Sequence, residues 1–421
     1  MNKLIKIYQI LLLAVLALYI NLGKGVAYSY VAEVLLIFGV LIIFLQYKTY
    51  EVIWNKRVGI LLFFLIINVA YLFRGRVSYP IIEVARDSFV INYAFFAFII
   101  FLFKDQIVAL REQIFNIYKY YPLIQVILFF LSQNEKIYEI SLFNNVHVLF
   151  FKYGDICVHL FIATILQLAG FIKFQKPYNF INIIFIVFIL MIASSYSRGG
   201  MLSYILGMGL FLIFSPSSLF KEQVKYYLKF IPIAILISLP FFLAIDVDEN
   251  FQGRKPGLEQ LKDNSLSIFS SNQDGNLEDN KLWRLVWWAQ IADYTFFGDQ
   301  FFFGKGIGVN LSLEDGIEVE EGNEIRSPHN YSMTILARYG VPLFITWVYW
   351  VYLTFIRLRK KDKSVFVVLY TSILFVFLFN ASFDVFLEGP MGGFPFWIFV
   401  GLDLASETLL NQNMLPFAED I

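Results

Sequence analysis

Apolar residues in this chain gather in long runs, not in the alternation of a half-buried strand or the stripe of a surface helix. Twelve segments stand out: 4–20, 30–46, 58–73, 81–103, 112–131, 155–172, 178–194, 200–214, 228–245, 329–356, 364–382 and 391–409. A helix rises about 1.5 Å per residue, so crossing a hydrocarbon core of about 30 Å takes roughly 20 residues. The pattern predicts an all-α polytopic membrane protein with about twelve transmembrane helices and one long external loop. It divides the chain into nine spans in 1–245, the loop with an interfacial helix in 246–328, and three spans in 329–421. No internal repeat is visible. The tenth segment would be about 42 Å long as one helix, so a break is expected near Gly340-Val341-Pro342. The break would leave Arg338 in the outer interface.

Charge sets the sidedness. With Lys3 and Lys6 inside, alternate loops carry Lys48, Lys56 and Arg57, then Lys104 and Arg111, then Lys173 and Lys176, then Lys221, Lys225 and Lys229. The last of them carries Arg357, Arg359, Lys360, Lys361 and Lys363. All fall on one side, which the positive-inside rule makes cytoplasmic. Both termini are then expected in the cytoplasm, with the N-terminal segment as an uncleaved anchor. The long loop falls outside. Its stretch KLWRLVWWAQIADYTFF reads as an amphipathic helix at the membrane interface.

Composition agrees with a membrane chain. Of 421 residues, 58% are hydrophobic and 16% charged, against about 25% charged in a soluble domain. The 48 Phe and 25 Tyr exceed what one soluble core could hide. Zero net charge gives no sign of a nucleic-acid partner. The single Cys157 excludes a disulfide framework and a cysteine zinc site. His147, His159 and His329 are too scattered to read as a metal motif.

Basic residues on the outer side are the informative ones: Arg74, Arg76, Arg86, Arg198, Arg284 and Arg326. Arg86 has Glu83 and Asp87 beside it, which allows a local salt bridge. Arg198 lies in SSYSRGG, where one span ends and the next begins. A cation at a helix N-terminus is opposed by the helix dipole, and glycine weakens a helix. The stretch reads either as a loop presenting cation and N–H groups to an anion or as a snorkelling arginine. In RSPHNYS, Ser327 suits an N-cap and Pro328 the first helical position. That puts His329 in the first turn, where the helix end lowers an imidazole pKa and keeps it neutral. His329 reads as a proton acceptor or as a structural histidine; Arg326 and Asn330 flank it.

These motifs resemble, in order, those of the O-antigen ligase and polymerase superfamily. Ser195 to Gly200 matches a Ser-x-Ser-Arg-Gly-Gly motif. Arg284 and Trp287, followed by Gly304-Lys305-Gly306, match the external loop. His329-Asn330, nine residues and Gly340 match the third motif, although Leu343 stands where the family often has a second glycine. The ending FDVFLEGPMGGFPFWIFVGL is similar to the family's last external turn and span, so the resemblance covers roughly residues 60–405. It implies a lipid-donor (GT-C) type of fold in the bacterial cytoplasmic membrane. It also implies transfer of an oligosaccharide from undecaprenyl diphosphate to an acceptor hydroxyl outside, without a metal or other cofactor.

By the resemblance, Arg198 and Arg284 hold the diphosphate and His329 acts on the hydroxyl. Arg326 and Asn330 are further substrate-binding candidates. Asp384 and Glu388 read as acceptor-sugar ligands or as solvated loop charge. One-step displacement would invert the anomeric centre. A polymerase of surface polysaccharide is the favoured activity; a ligase to lipid A-core and a lipid-linked-oligosaccharide flippase are the alternatives. The expected partners are the lipid-linked oligosaccharide, membrane lipid, a chain-length regulator and a flippase.

Overall fold

A computed structural model of the chain describes residues 3–46, 54–215, 217–245, 257–266, 275–317, 325–361 and 363–411. Part of the long loop, Lys48 and the C-terminal end lie outside these residues. The helices are α1 (Lys3–Leu22), α2 (Val31–Gln46), α3 (Lys56–Ser78), α4 (Ile81–Asn92), α5 (Ala94–Leu102), α6 (Ile107–Ser132), α7 (Glu135–Tyr138), α8 (Tyr153–Leu168) and α9 (Lys176–Tyr196). They continue as α10 (Arg198–Phe214), α11 (Ser217–Leu243), α12 (Leu258–Leu266), α13 (Gly275–Phe296), α14 (Leu311–Glu314), α15 (Tyr331–Phe355), α16 (Val365–Asn380) and α17 (Pro390–Asn411). One hairpin, β1 (Ser141–Phe143) with β2 (Val146–His147), precedes α8. Asn144 and Asn145 make its turn at positive φ, as a tight hairpin requires.

Each of the twelve apolar segments is helical. Among the described residues, seven helices are long and apolar enough to cross a membrane, and α4 with α5, bent by 49°, is an eighth if the bent pair forms one span. The remaining four segments are α2, α8, α10 and α16, with 16, 16, 17 and 16 residues. At about 1.5 Å per residue they are shorter than the core. α8 explains how a short apolar helix is accommodated: every residue from Asp155 to Leu168 is buried. α16 is largely buried as well. A helix that is apolar all round belongs inside the protein. By contrast, Val34, Ile37 and Phe44 of α2 and Leu228, Leu236 and Phe241 of α11 are exposed, as lipid-facing residues are.

Two arginines assigned to one side by charge meet at one end of the bundle. Arg57 at the start of α3 and Arg357 after α15 converge on α17. Arg57 bonds Asp403 at 2.5 Å and Glu407 at 3.0 Å; Arg357 bonds Asp403 at 2.7 Å. These arginines are not loop charges but a buried ion cluster. Removing one partner strands the others in a dry site. Asp403→Asn is therefore expected to cost about 3–5 kcal/mol of stability, read as a lowered unfolding midpoint in detergent.

At the opposite end, a second, smaller apolar core forms under the loop. It joins Trp287 and Ile291 of α13, Val309 and Leu311, and Leu336, Ala337 and Val341 of α15. α15 breaks where expected: Gly340 has φ 78° and ψ −179°. Proline at 342 has no N–H for the carbonyl of Arg338. The Gly-Lys-Gly turn supplies the missing donors. Lys305 N–H donates to Ala337 O (2.8 Å) and Gly306 N–H to Arg338 O (2.9 Å), while Val341 N–H donates to Phe301 O (2.8 Å). A Cβ on Gly340 would lie 2.6 Å from Phe301 O, and one on Gly304 2.6 Å from Ala337 O. Two glycines distant in sequence thus let backbone dock on backbone.

Arg338 lies at this end and is buried in protein, at 2% exposed. Its guanidinium pairs with Asp87 at 2.8 Å and donates to Val309 O at 3.1 Å. The protein supplies the counter-charge that lipid could not.

Candidate active site

The site lies at this second end, where α8, α10, α13, α15 and the turn after α16 meet. Ser197 is the one residue between α9 and α10. Its hydroxyl caps α10 by accepting from Gly200 N–H at 3.1 Å. The expected loop at SSYSRGG is thus corrected: Arg198 opens a regular helix of 17 residues. The glycine serves packing, since a Cβ on Gly200 would lie 2.7 Å from Gly154 Cα of α8. Asn264 of α12 holds the end of α9 by donating to Ser194 O (2.9 Å) and Ser195 O (2.6 Å). Arg198 is thereby fixed in place by three helices.

α13 is clamped by its tryptophans. Trp287 is fully buried and its indole N–H donates to Asp315 at 2.5 Å. Lys305 takes the other Asp315 oxygen at 2.5 Å. Trp288 donates to Pro328 O at 2.8 Å. The expected interfacial helix is therefore also a protein-packed one, with Leu282, Leu285 and Val286 left exposed on its outer face. Arg284 projects between these faces. Its guanidinium lies 5.3 Å from the Trp283 ring centroid, and Nη1 donates to Phe383 O at 3.1 Å. Its Nε is buried and has no hydrogen-bond partner among the described residues.

His329 differs from the sequence expectation. Asn330, not Ser327, is the N-cap of α15: its side-chain oxygen accepts from Met333 N–H at 3.1 Å. The helix starts at Tyr331, whose N–H donates to Ala381 O at 2.9 Å. His329 precedes the helix at φ 53°, a left-handed conformation. That turns its ring onto the edge of Trp283, 5.6 Å between centroids. Burial pushes its pKa down to about 4. Asp384 opposes this shift, while Arg284, Lys152 and Lys24 reinforce it. The imidazole is neutral at pH 7, as expected, but through burial and nearby cations.

Arg198, Arg284 and His329 share one electrostatic neighbourhood. The Arg198 cation acts on Arg284, and Arg284 acts on His329. Arg326 is committed elsewhere, to Glu83 at 2.8 Å and Asp87 at 3.4 Å. Arg86 also pairs with Glu83, so its local salt bridge is real. Arg74 donates to Phe303 O at 3.2 Å. Glu388 accepts from Thr334 at 2.7 Å, and Asp384 pairs with Lys152 at 2.7 Å.

Lys24, Lys152 and Asp155 were missed by the sequence reading. Lys24 and Lys152 fall in segments predicted to lie outside, so the criterion that singled out the arginines would have found them. Asp155 gave no such signal. It accepts from Asn380 at 3.4 Å, and its other oxygen is buried with no hydrogen-bond partner among the described residues.

An open apolar groove begins beside this cluster. Tyr331, Ser332 and Ser382 form its upper part, and Trp347, Val351 and Phe355 line its descent along α15.

Fold and site together define a polytopic helical membrane protein with a cationic, histidine-bearing site at one end of its bundle. Residues 183–348 match the protein-family model for O-antigen ligase. That segment holds all three motifs and supports the resemblance to the O-antigen ligase and polymerase superfamily over those residues. No curated protein and no solved structure matched.

Proposed function

We propose that the chain transfers an oligosaccharide from undecaprenyl diphosphate to a sugar hydroxyl at the outer face of the bacterial cytoplasmic membrane, as a surface-polysaccharide polymerase. The twelve apolar segments are twelve crossings in a GT-C-like arrangement, with both termini cytoplasmic. The observation that carries the reading is the convergence of Arg198, Arg284 and His329 beside an apolar groove. A lipid diphosphate needs both halves of that surface, cations for its head and a dry channel for its polyprenyl chain.

The acceptor oxygen attacks the anomeric carbon as its proton passes to a His329 ring nitrogen. The bond from that carbon to the diphosphate oxygen breaks, and its electron pair leaves with undecaprenyl diphosphate. One displacement inverts the centre. Arg198 and Arg284 stabilise charge that grows on the leaving group, which accelerates the step instead of merely tightening binding. In the empty site His329 is a weak base. A bound diphosphate offsets the surrounding cations and raises its pKa towards the working pH, where a general base is most effective.

The phenotype of a deletion strain tests the activity. Loss of a polymerase leaves single repeats on lipid A-core. Loss of a ligase leaves none and accumulates lipid-linked chains, which would reassign the acceptor. Unchanged surface polysaccharide would refute both.

A further inference from the structure

The chemistry above leaves one ion pair at the site without a role. Lys152 Nζ meets Asp384 Oδ1 at 2.7 Å across 232 positions of sequence. The same oxygen accepts from Val385 N–H at 2.6 Å. Asp384 directly follows Phe383, whose carbonyl carries Arg284. Its field reaches both Arg284 and His329. Even so, Arg284 rests on the neutral carbonyl and Lys152 takes the carboxylate.

A carboxylate one residue from an arginine's resting place is a strong competitor for it, because arginine and carboxylate form charge-assisted, often bidentate pairs. A diphosphate arriving at Arg284 would first have to displace that pair. Something must hold Asp384 elsewhere, and Lys152 is placed to do so. Its carbonyl accepts from Asp155 N–H at 2.9 Å and Ile156 N–H at 3.2 Å, which fixes it at the start of α8. Gly154, two residues on, is in close contact with Gly200 of α10. One rigid junction therefore sets both Arg198 and the lysine.

We propose that Lys152 is a positioning residue that holds the Asp384 carboxylate off Arg284, keeping that guanidinium open to a lipid diphosphate. The inference rests on reading Arg284 as a diphosphate ligand. Without Lys152, Asp384 is left partly buried and uncompensated, and Arg284, which rests on the adjacent Phe383 carbonyl within its field, becomes available to it.

The test uses full-length protein in detergent and bare undecaprenyl diphosphate as the probe, with Kd measured by thermophoresis. Lys152→Met is expected to weaken binding about tenfold or more. In an Asp384→Asn background the same substitution should change Kd by less than about twofold, because the lysine acts only through the carboxylate. Asp384→Asn alone should bind at least as tightly as wild type, which keeps the proposal testable if Lys152→Met fails to fold. Equal losses from Lys152→Met in both backgrounds would mark a direct phosphate contact and overturn the proposal. So would wild-type affinity in Lys152→Met, or weakened binding in Asp384→Asn. Absence of binding by the wild type would overturn the diphosphate reading itself, a separate outcome.

Discussion

Arg284→Ala is expected to lower kcat/KM for the lipid-linked donor by about a hundredfold or more while the protein still inserts and folds. The magnitude is that of removing one preorganised donor from a developing oxyanion. Three features support it. The guanidinium is partly desolvated, which strengthens its interaction with an anion. It is held by Trp283 and one neutral carbonyl, so it can turn to a phosphate without breaking an ion pair. Its fork can keep the Phe383 carbonyl and still present N–H groups to the ligand. Lysine has no such fork, so Arg284→Lys is expected to recover little. Folding should survive, because the clamp of α13 rests on Trp287 and Trp288 and not on Arg284. Rates from membranes of complemented deletion cells, normalised to protein by immunoblot, check both points.

His329→Ala is expected to remove a general-base contribution of about 10² to 10⁴ in kcat. The pH profile gives the sharper test. In the free protein, burial holds the imidazole near 4 against the pull of Asp384, with Arg284, Lys152 and Lys24 adding to the depression. The neutral form that can take a proton is lost only as pH falls through that value. The acid limb of kcat/KM, which reports the free enzyme, should therefore lie near pH 4, well below the usual histidine range. Bound diphosphate adds negative charge and raises the pKa, so the acid limb of kcat should lie higher. Coincident limbs near 6.5 would mean an exposed histidine with no such coupling.

The helical, membrane-spanning character of the chain was legible because apolar run length is a local property of the sequence. All twelve segments proved helical, and the Gly340–Pro342 break followed from the length of its segment with the glycine and proline that place it. The site was legible as far as its motifs reached. What could not be read were partners far apart in sequence. Lys152 and Asp384, or Arg57 and Asp403, come together only through packing. The cap of α15 was misplaced because Ser327 followed by Pro328 fits an N-cap and first helical position by residue type, whereas the structure caps the helix at Asn330. Only the positive φ of His329 decides for Asn330, and nothing in the residue type announces it. Arg326 lies three positions from His329, and its pairing with Glu83 and Asp87 could not be read from the sequence.

The most direct test follows the leaving group. Purified protein in detergent, with no second compartment, is given lipid-linked repeat units extracted from a strain lacking the chain. Mass spectrometry then counts released undecaprenyl diphosphate against new glycosidic linkages. One released lipid per linkage is expected from the wild type and a rate lower by at least about a hundredfold from His329→Ala. Linkage at the wild-type rate by His329→Ala would contradict the assignment of the base, and no linkage by the wild type, even with lipid A-core supplied, would contradict glycosyl transfer altogether.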